Sequence, residues 1–291
     1  MFEGLSTALI TPFRDGALDE PALRDLVEWQ IAAGVDQLVP CGCTGESATL
    51  SHLEHGKVIE IVVSAVRGRI RVVAGTGSNN TREAIELTQH AKAVGADGAL
   101  LISPYYNKPT QQGIYQHYCA IAEQTEFPLI TYNVPSRTGS NVAPSTLARL
   151  ADVPHIVGVK EACGDIGQIS EVVARSHEDF TVLSGDDALN LPIMAIGGKG
   201  AISTASNVAP EAIGDLLRAC RDGDLSRARE LHYQLLPLFH ALFFETNPIP
   251  VKCALELMGL IESAEVRLPL TLITEANRER LQVVLKELGH L

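Results

Sequence analysis

Eight short apolar runs recur along residues 1–208 at intervals of roughly 20 to 35 residues, each followed by a turn and an amphipathic stretch. The runs are Thr7-Ile10, Gln37-Pro40, Arg71-Ala74, Ala99-Ile102, Leu129-Tyr132, Ile156-Lys160, Thr181-Ser184 and Ala201-Ser203. A strand followed by a helix pairs in parallel with the next strand, because the helix carries the chain back along the sheet. Eight such units predict an α/β fold, a (β/α)8 TIM barrel. A doubly wound sheet shares much of this alternation and is the competing architecture. Local signals punctuate the helices: Ser51 with Glu54 is a capping box opening a helix that Gly68 ends, Asn80 with Glu83 marks a second start, and Gly34 and Gly95 are stops. From residue 209 onward only helical patterns remain, such as Ala212 to Cys220 and Leu225 to Phe244. The expected organisation is a catalytic barrel over 1–208 and a helical C-terminal extension over 209–291 packed on it, with no linker marking a second catalytic domain.

The balance of charge narrows the partners. Thirty-five acidic residues against 23 basic ones give a formal net charge of -12 with no basic run, which disfavours nucleic acid and anionic lipid and leaves a small molecule. No apolar stretch reaches the roughly 18 residues of a membrane helix and the start lacks a positive leader, so a cytoplasmic protein is expected. The six cysteines show no disulfide-framework spacing, and Cys41 and Cys43 form only a Cys-x-Cys, so no metal site is expected.

In a parallel barrel the chemistry gathers at the C-terminal ends of the strands. Lys160 closes the run Ile156-Val157-Gly158-Val159, which reads as a strand buried on both faces. Burial there lowers a lysine's pKa and leaves a nucleophilic amine near neutral pH. Such an amine attacks keto acids to form an imine, and the protonated imine draws electrons from the adjacent carbon. A structural lysine paired with Glu161 or Asp165 is the alternative. Tyr132, at the neighbouring strand end, is placed as the acid and base that imine formation needs, or else is a core tyrosine satisfied by backbone. Thr44 lies in Cys41-Gly42-Cys43-Thr44-Gly45-Glu46-Ser47, where a turn hydroxyl is the plainer reading. The other strand ends supply phenols, hydroxyls and a guanidinium, with no cluster of carboxylates or histidines suited to a catalytic metal. Gly75-Thr76-Gly77-Ser78 lacks the third glycine and acidic partner of a dinucleotide site, and Gly197-Gly198-Lys199-Gly200 reads as a tight turn rather than a phosphate loop.

Gly42-x-Thr44-Gly45-Glu46, Tyr132-Asn133-Val134-Pro135 and the strand ending at Lys160, in that order, resemble the pyruvate-dependent class I lyases, the superfamily that includes N-acetylneuraminate lyase and dihydrodipicolinate synthase. Three stretches resemble the dihydrodipicolinate synthase family specifically: residues 103–109 (Ser-Pro-Tyr-Tyr-Asn-Lys-Pro), 135–139 (Pro-Ser-Arg-Thr-Gly) and 244–252 (Phe-Glu-Thr-Asn-Pro-Ile-Pro-Val-Lys). The likeness runs from Phe2 through the C-terminal helices.

The resemblance implies condensation of pyruvate with L-aspartate 4-semialdehyde, on the way to diaminopimelate and lysine, without metal or organic cofactor. It implies that pyruvate forms an imine with Lys160, that Thr44 and backbone amides hold its carboxylate, and that Gly185 and the Ile202 main chain face it. Arg137 would hold the semialdehyde's carboxylate, a task that suits a guanidinium fork. Tyr132 would relay protons with a threonine and with Tyr106 donated across a dimer interface, in a homotetramer of two such dimers. Cys43 stands where the family pattern has the relay threonine, and a thiol is a weak donor and poor acceptor, so a weakened relay is expected. Ser47, Ala48, His52, His55, Asn79, Glu83 and Tyr105 match the lysine-binding site of feedback-inhibited members, implying L-lysine as an inhibitor. The plainer reading of His52 and His55 is two solvated residues in the first turn of a capped helix. Two other functions fit: a related lyase for a keto-deoxy sugar acid, which would not need Arg137 in this role, and a non-catalytic barrel that binds pyruvate or an amino acid.

Overall fold

In the computed structural model, which describes residues 1–291, the predicted runs close into one barrel of eight parallel strands. They are β1 (Gly4–Ala8), β2 (Gln37–Val39), β3 (Arg71–Gly75), β4 (Gly98–Ile102), β5 (Leu129–Asn133), β6 (Ile156–Glu161), β7 (Thr181–Ser184) and β8 (Gly200–Ser203). Each strand bonds its neighbour in sequence, and β8 returns to β1 with Gly4 opposite Gly200 and Thr7 opposite Ser203. The (β/α)8 architecture read from the sequence is therefore the one observed, and the doubly wound sheet is not.

Most boundaries agree within one residue, and β1 differs by more. β1 begins at Gly4, ahead of the predicted Thr7, because Gly4, Leu5 and Ser6 pair with Gly200, Ala201 and Ile202 at the far end of the chain. Leu9 and Ile10, which completed the apolar run, are buried just beyond the strand. A small hairpin follows, Phe13–Arg14 against Ala17–Leu18.

The outer layer comprises α1 (Glu20–Ala32), α2 (His52–Val66), α3 (Thr81–Ala93), α4 (Gln111–Thr125), the single turn α5 (Pro135–Thr138), α6 (Pro144–Ala151), α7 (Ile166–Arg175), α8 (Asn190–Ala195) and α9 (Pro210–Arg221). The capping box forms as predicted: the Ser51 hydroxyl accepts from the Glu54 amide at 3.2 Å, and the Glu54 carboxylate accepts from the Ser51 amide at 2.9 Å. α2 stops on Arg67, held in the left-handed region at φ 52°, one residue before the expected Gly68. Three more helices complete the chain: α10 (Leu225–Ala241), α11 (Ile249–Leu257) and α12 (Glu275–Glu287). No helix is long and apolar enough to cross a membrane.

Alternation along the strands divides the core in two. Leu23, Ile59, Ile114 and Leu147 belong to the large layer between strands and helices. A smaller cluster fills the barrel itself, with Phe2, Val73, Leu100, Ile130, Leu183 and Ile202 beneath Tyr132. Gly98 lets Phe2 enter that cluster, since a Cβ there would stand 2.7 Å from the Phe2 ring. The barrel is thus packed solid from below, and the space left open lies at the C-terminal ends of its strands.

Candidate active site

Tyr132 and Lys160 are register partners on β5 and β6 and both turn inward, while the next pair, Asn133 and Glu161, turns outward. Glu161 accepts from the Asn133 amide at 3.0 Å, and Asp165 caps α7 through the Gln168 amide at 3.1 Å. Neither carboxylate is therefore a partner for Lys160, which settles the alternative left open by the sequence. Lys160 is 6 % exposed, and its Nζ lies 4.4 Å from the centre of the Tyr132 ring. Burial pushes its pKa down to about 8, with the nearby Cys43 and Asp187 opposing that shift and Arg137 adding to it.

These groups line a cavity of about 410 Å³ that contains Cys43, Thr44, Tyr132, Arg137, Lys160 and Gly185. Burial raises the Tyr132 phenol well above its usual range, and the Cys43 thiol beside it pushes the same way while Arg137 opposes. Tyr132 therefore stays protonated at neutral pH and can donate a proton. Gly185 has to be glycine: a Cβ there would stand 2.9 Å from Lys160 Cε and 2.9 Å from Ala162 Cβ. Thr44 is not the simple turn hydroxyl of the plainer reading, because its Oγ1 faces Thr204 Oγ1 at 3.5 Å and accepts from Asn247 Nδ2 at 2.9 Å.

Two of the residues singled out from the sequence do not line this cavity with their side chains. Ile202 packs in the apolar cluster below Tyr132 and does not line the cavity with its side chain. Tyr106 is 89 % exposed on the loop after β4, at φ 70°, away from Tyr132. The cavity also holds Asp187, at the end of the seventh strand, and Asn247, together with Thr204, Phe239 and His240, which went unremarked in the sequence. Asp187 accepts from the Thr204 and Ala205 amides at 3.0 and 2.8 Å, which ties the end of β7 to the end of β8. Asn247 lies within the 244–252 stretch, but no local pattern reveals that it reaches Thr44.

A second cavity of about 440 Å³ shares Gly42, Cys43, Leu100, Tyr132, Arg137 and Asn247 with the first. Its far wall holds Ser47, Ala48, His52, His55, Glu83 and Tyr105. Asn79 stands just behind, donating to the Tyr105 carbonyl at 3.1 Å. His52 Nε2 lies 2.8 Å from Glu83, whereas His55 is buried, its Nε2 bonded to the Gly75 carbonyl at 2.9 Å and its Nδ1 without a partner. The two histidines are therefore unlike: one is solvated and the other is walled in beside the cavity.

Residues 1–288 match the model of the dihydrodipicolinate synthetase family. The chain belongs to that family. It is 57% identical over 99% of both chains to the 4-hydroxy-tetrahydrodipicolinate synthase of Nitratidesulfovibrio vulgaris strain Miyazaki F. Its structure superposes with a TM-score of 0.98, at 46% identity and 100% coverage of both chains, on the chloride inhibited dihydrodipicolinate synthase of Acinetobacter baumannii complexed with pyruvate. The enzyme from Cyanidioschyzon merolae with lysine bound gives 0.97 at 41% identity, covering 100% of this chain and 99% of that one.

The amine's position makes its titration a direct probe of the site. Carbon-13 chemical shifts of the Lys160 side chain should titrate with a midpoint of about 8, far below an ordinary lysine. Arg137→Ala should raise that midpoint, since it removes a cation that disfavours the ammonium. A midpoint near 10.5 would show that water reaches the amine freely.

Proposed function

We propose that this chain is a 4-hydroxy-tetrahydrodipicolinate synthase, a class I Schiff-base lyase that condenses pyruvate with L-aspartate 4-semialdehyde in lysine and diaminopimelate biosynthesis. The observation that carries this reading is a buried, unpaired amine opposite a protonated phenol, with a guanidinium at the mouth of the same cavity. At neutral pH a useful fraction of a pKa 8 amine is unprotonated and can attack the pyruvate ketone. Tyr132 gives a proton to the carbinolamine oxygen as water leaves, which yields the protonated imine. Loss of a methyl proton gives an enamine, whose carbon attacks the aldehyde. The amino group of the bound semialdehyde then displaces Lys160, closing the ring and freeing the enzyme.

Thr44 suits the pyruvate carboxylate. Its Oγ1 accepts from Asn247, which leaves its own hydrogen to donate. Gly185 keeps the space beside Lys160 open. Arg137 stands exposed at the mouth, with Nη2 donating to the Asn247 carbonyl at 3.4 Å and the rest of its fork able to take the semialdehyde's carboxylate. That cation favours the synthase over a sugar-acid lyase, whose substrate makes no such demand. In this reading Cys43 occupies the relay position between Tyr132 and the Tyr106 of a second copy. The exposure of Tyr106 supports delivery across an interface, within a homotetramer built from two dimers.

The second cavity is a fitting site for L-lysine. Glu83 can face the ligand's ammonium, while Ser47, Ala48, the two histidines and Tyr105 wall the space around it, with Asn79 behind Tyr105. Because the two cavities share Cys43, Tyr132 and Arg137 as a common wall, lysine bound in one would disturb the other without displacing pyruvate.

Four measurements test these assignments. Steady-state assays should show turnover of aspartate semialdehyde and none of a sugar-derived aldehyde, and the reverse would replace the synthase by the sugar-acid lyase. In the same assay Arg137→Ala should raise KM for the semialdehyde about thirtyfold, roughly 2 kcal/mol, while moving KM for pyruvate far less. Cys43→Thr should increase kcat by about threefold or more by restoring a strong donor and acceptor to the relay, and an unchanged or lower kcat would show that the site is adapted to the thiol. Calorimetric titration should detect L-lysine at millimolar concentration or tighter, with partial inhibition. Binding undiminished in Glu83→Ala would remove the second cavity from this role.

A further inference from the structure

A second buried lysine takes no part in this chemistry. Lys252 on α11 has a fully buried side chain, and its Nζ forms an ion pair with the equally buried Glu46. The same Nζ donates to the Glu265 carbonyl at 2.7 Å and lies 4.1 Å from the centre of the Phe13 ring. Arg267 sits 4.2 Å from the centre of the same ring, its backbone amide donating to Glu46 at 3.1 Å and its guanidinium gripping Glu54 at 2.6 and 3.0 Å. Replacing a buried pair of this kind by apolar side chains is often neutral for stability, so stability alone does not account for it.

The pair's two ends explain its placement. Glu46 lies two residues after Thr44, in a turn closed by the Thr11 hydroxyl on the Gly45 carbonyl at 2.7 Å and by the Glu46 amide on the Cys43 carbonyl at 3.2 Å. Lys252 lies five residues after Asn247, in the first turn of α11, and its amide bonds the Pro248 carbonyl at 3.0 Å. The two segments meet again inside the catalytic cavity, where Asn247 donates to Thr44. We infer that the Glu46–Lys252 pair is a positioning device that holds the C-terminal segment against the β2 loop, so that Asn247 orients the Thr44 hydroxyl toward the pyruvate carboxylate. This inference rests on the proposed role of Thr44.

A double-mutant cycle tests it. Lys252→Met and Asn247→Ala should each raise KM for pyruvate about tenfold, with a smaller change in kcat, and the double variant should be no worse than the weaker single variant because both act through one contact. Multiplicative effects, or a Lys252→Met enzyme whose KM stays within twofold of wild type while only its melting temperature falls, would overturn the inference. If Lys252→Met does not fold, the isosteric Glu46→Gln replaces it in the cycle under the same two criteria. Wild-type protein that does not turn over pyruvate would instead overturn the proposed function, which keeps the two failures apart.

Discussion

The structure turns on an amine kept from water without an acid beside it. Taking an ammonium out of water is costly unless a counter-charge or several acceptors replace the solvent. At Lys160 the barrel supplies the face of the Tyr132 ring and a more distant Asp187, and the pKa falls to about 8. Lys252 offers the internal comparison, because burial pushes its pKa down to about 8 as well. Its Nζ, however, is engaged by Glu46, the Glu265 carbonyl and the Phe13 ring. Two lysines with similar titration thus have opposite chemical prospects, and the difference lies in which partners occupy the nitrogen.

The barrel places that amine by simple alternation. With Tyr132 opposite Lys160, the inward pair faces the cavity and the outward pair, Asn133 and Glu161, stitches the strand ends together. Asn133 also accepts from the Val142 amide at 3.0 Å, which fixes the segment following Arg137 to the same strand end. The cavity at the strand ends is lined on its other flank by Phe239, His240 and Asn247 from the C-terminal segment. The second cavity borders that site through Cys43 and Tyr132.

Much of this was legible in the sequence, for physical reasons. A period of strand, turn and amphipathic helix is local, so the barrel could be read, as could the capping box at Ser51 and the inward lysine at the end of an apolar run. What stayed hidden was pairing between distant segments. Asn247 and Thr44 are separated by 203 positions, and nothing near either residue marks the other as its partner. The same holds for Glu46 with Lys252 and for the start of β1, which is set by β8. The two histidines on α2 looked alike in the sequence, and only packing against Gly75 distinguishes the buried one from the solvated one.

In the proposed chemistry Lys160 alone among the buried lysines becomes an imine, because Lys252 is held by Glu46 and the Glu265 carbonyl. Incubation with pyruvate, reduction with borohydride and mass mapping of the digested protein measure this directly. The account predicts one pyruvate-derived adduct per chain, on Lys160 and absent from Lys252, and lost entirely in Lys160→Ala. An adduct on Lys252, or one that persists in Lys160→Ala, would contradict it.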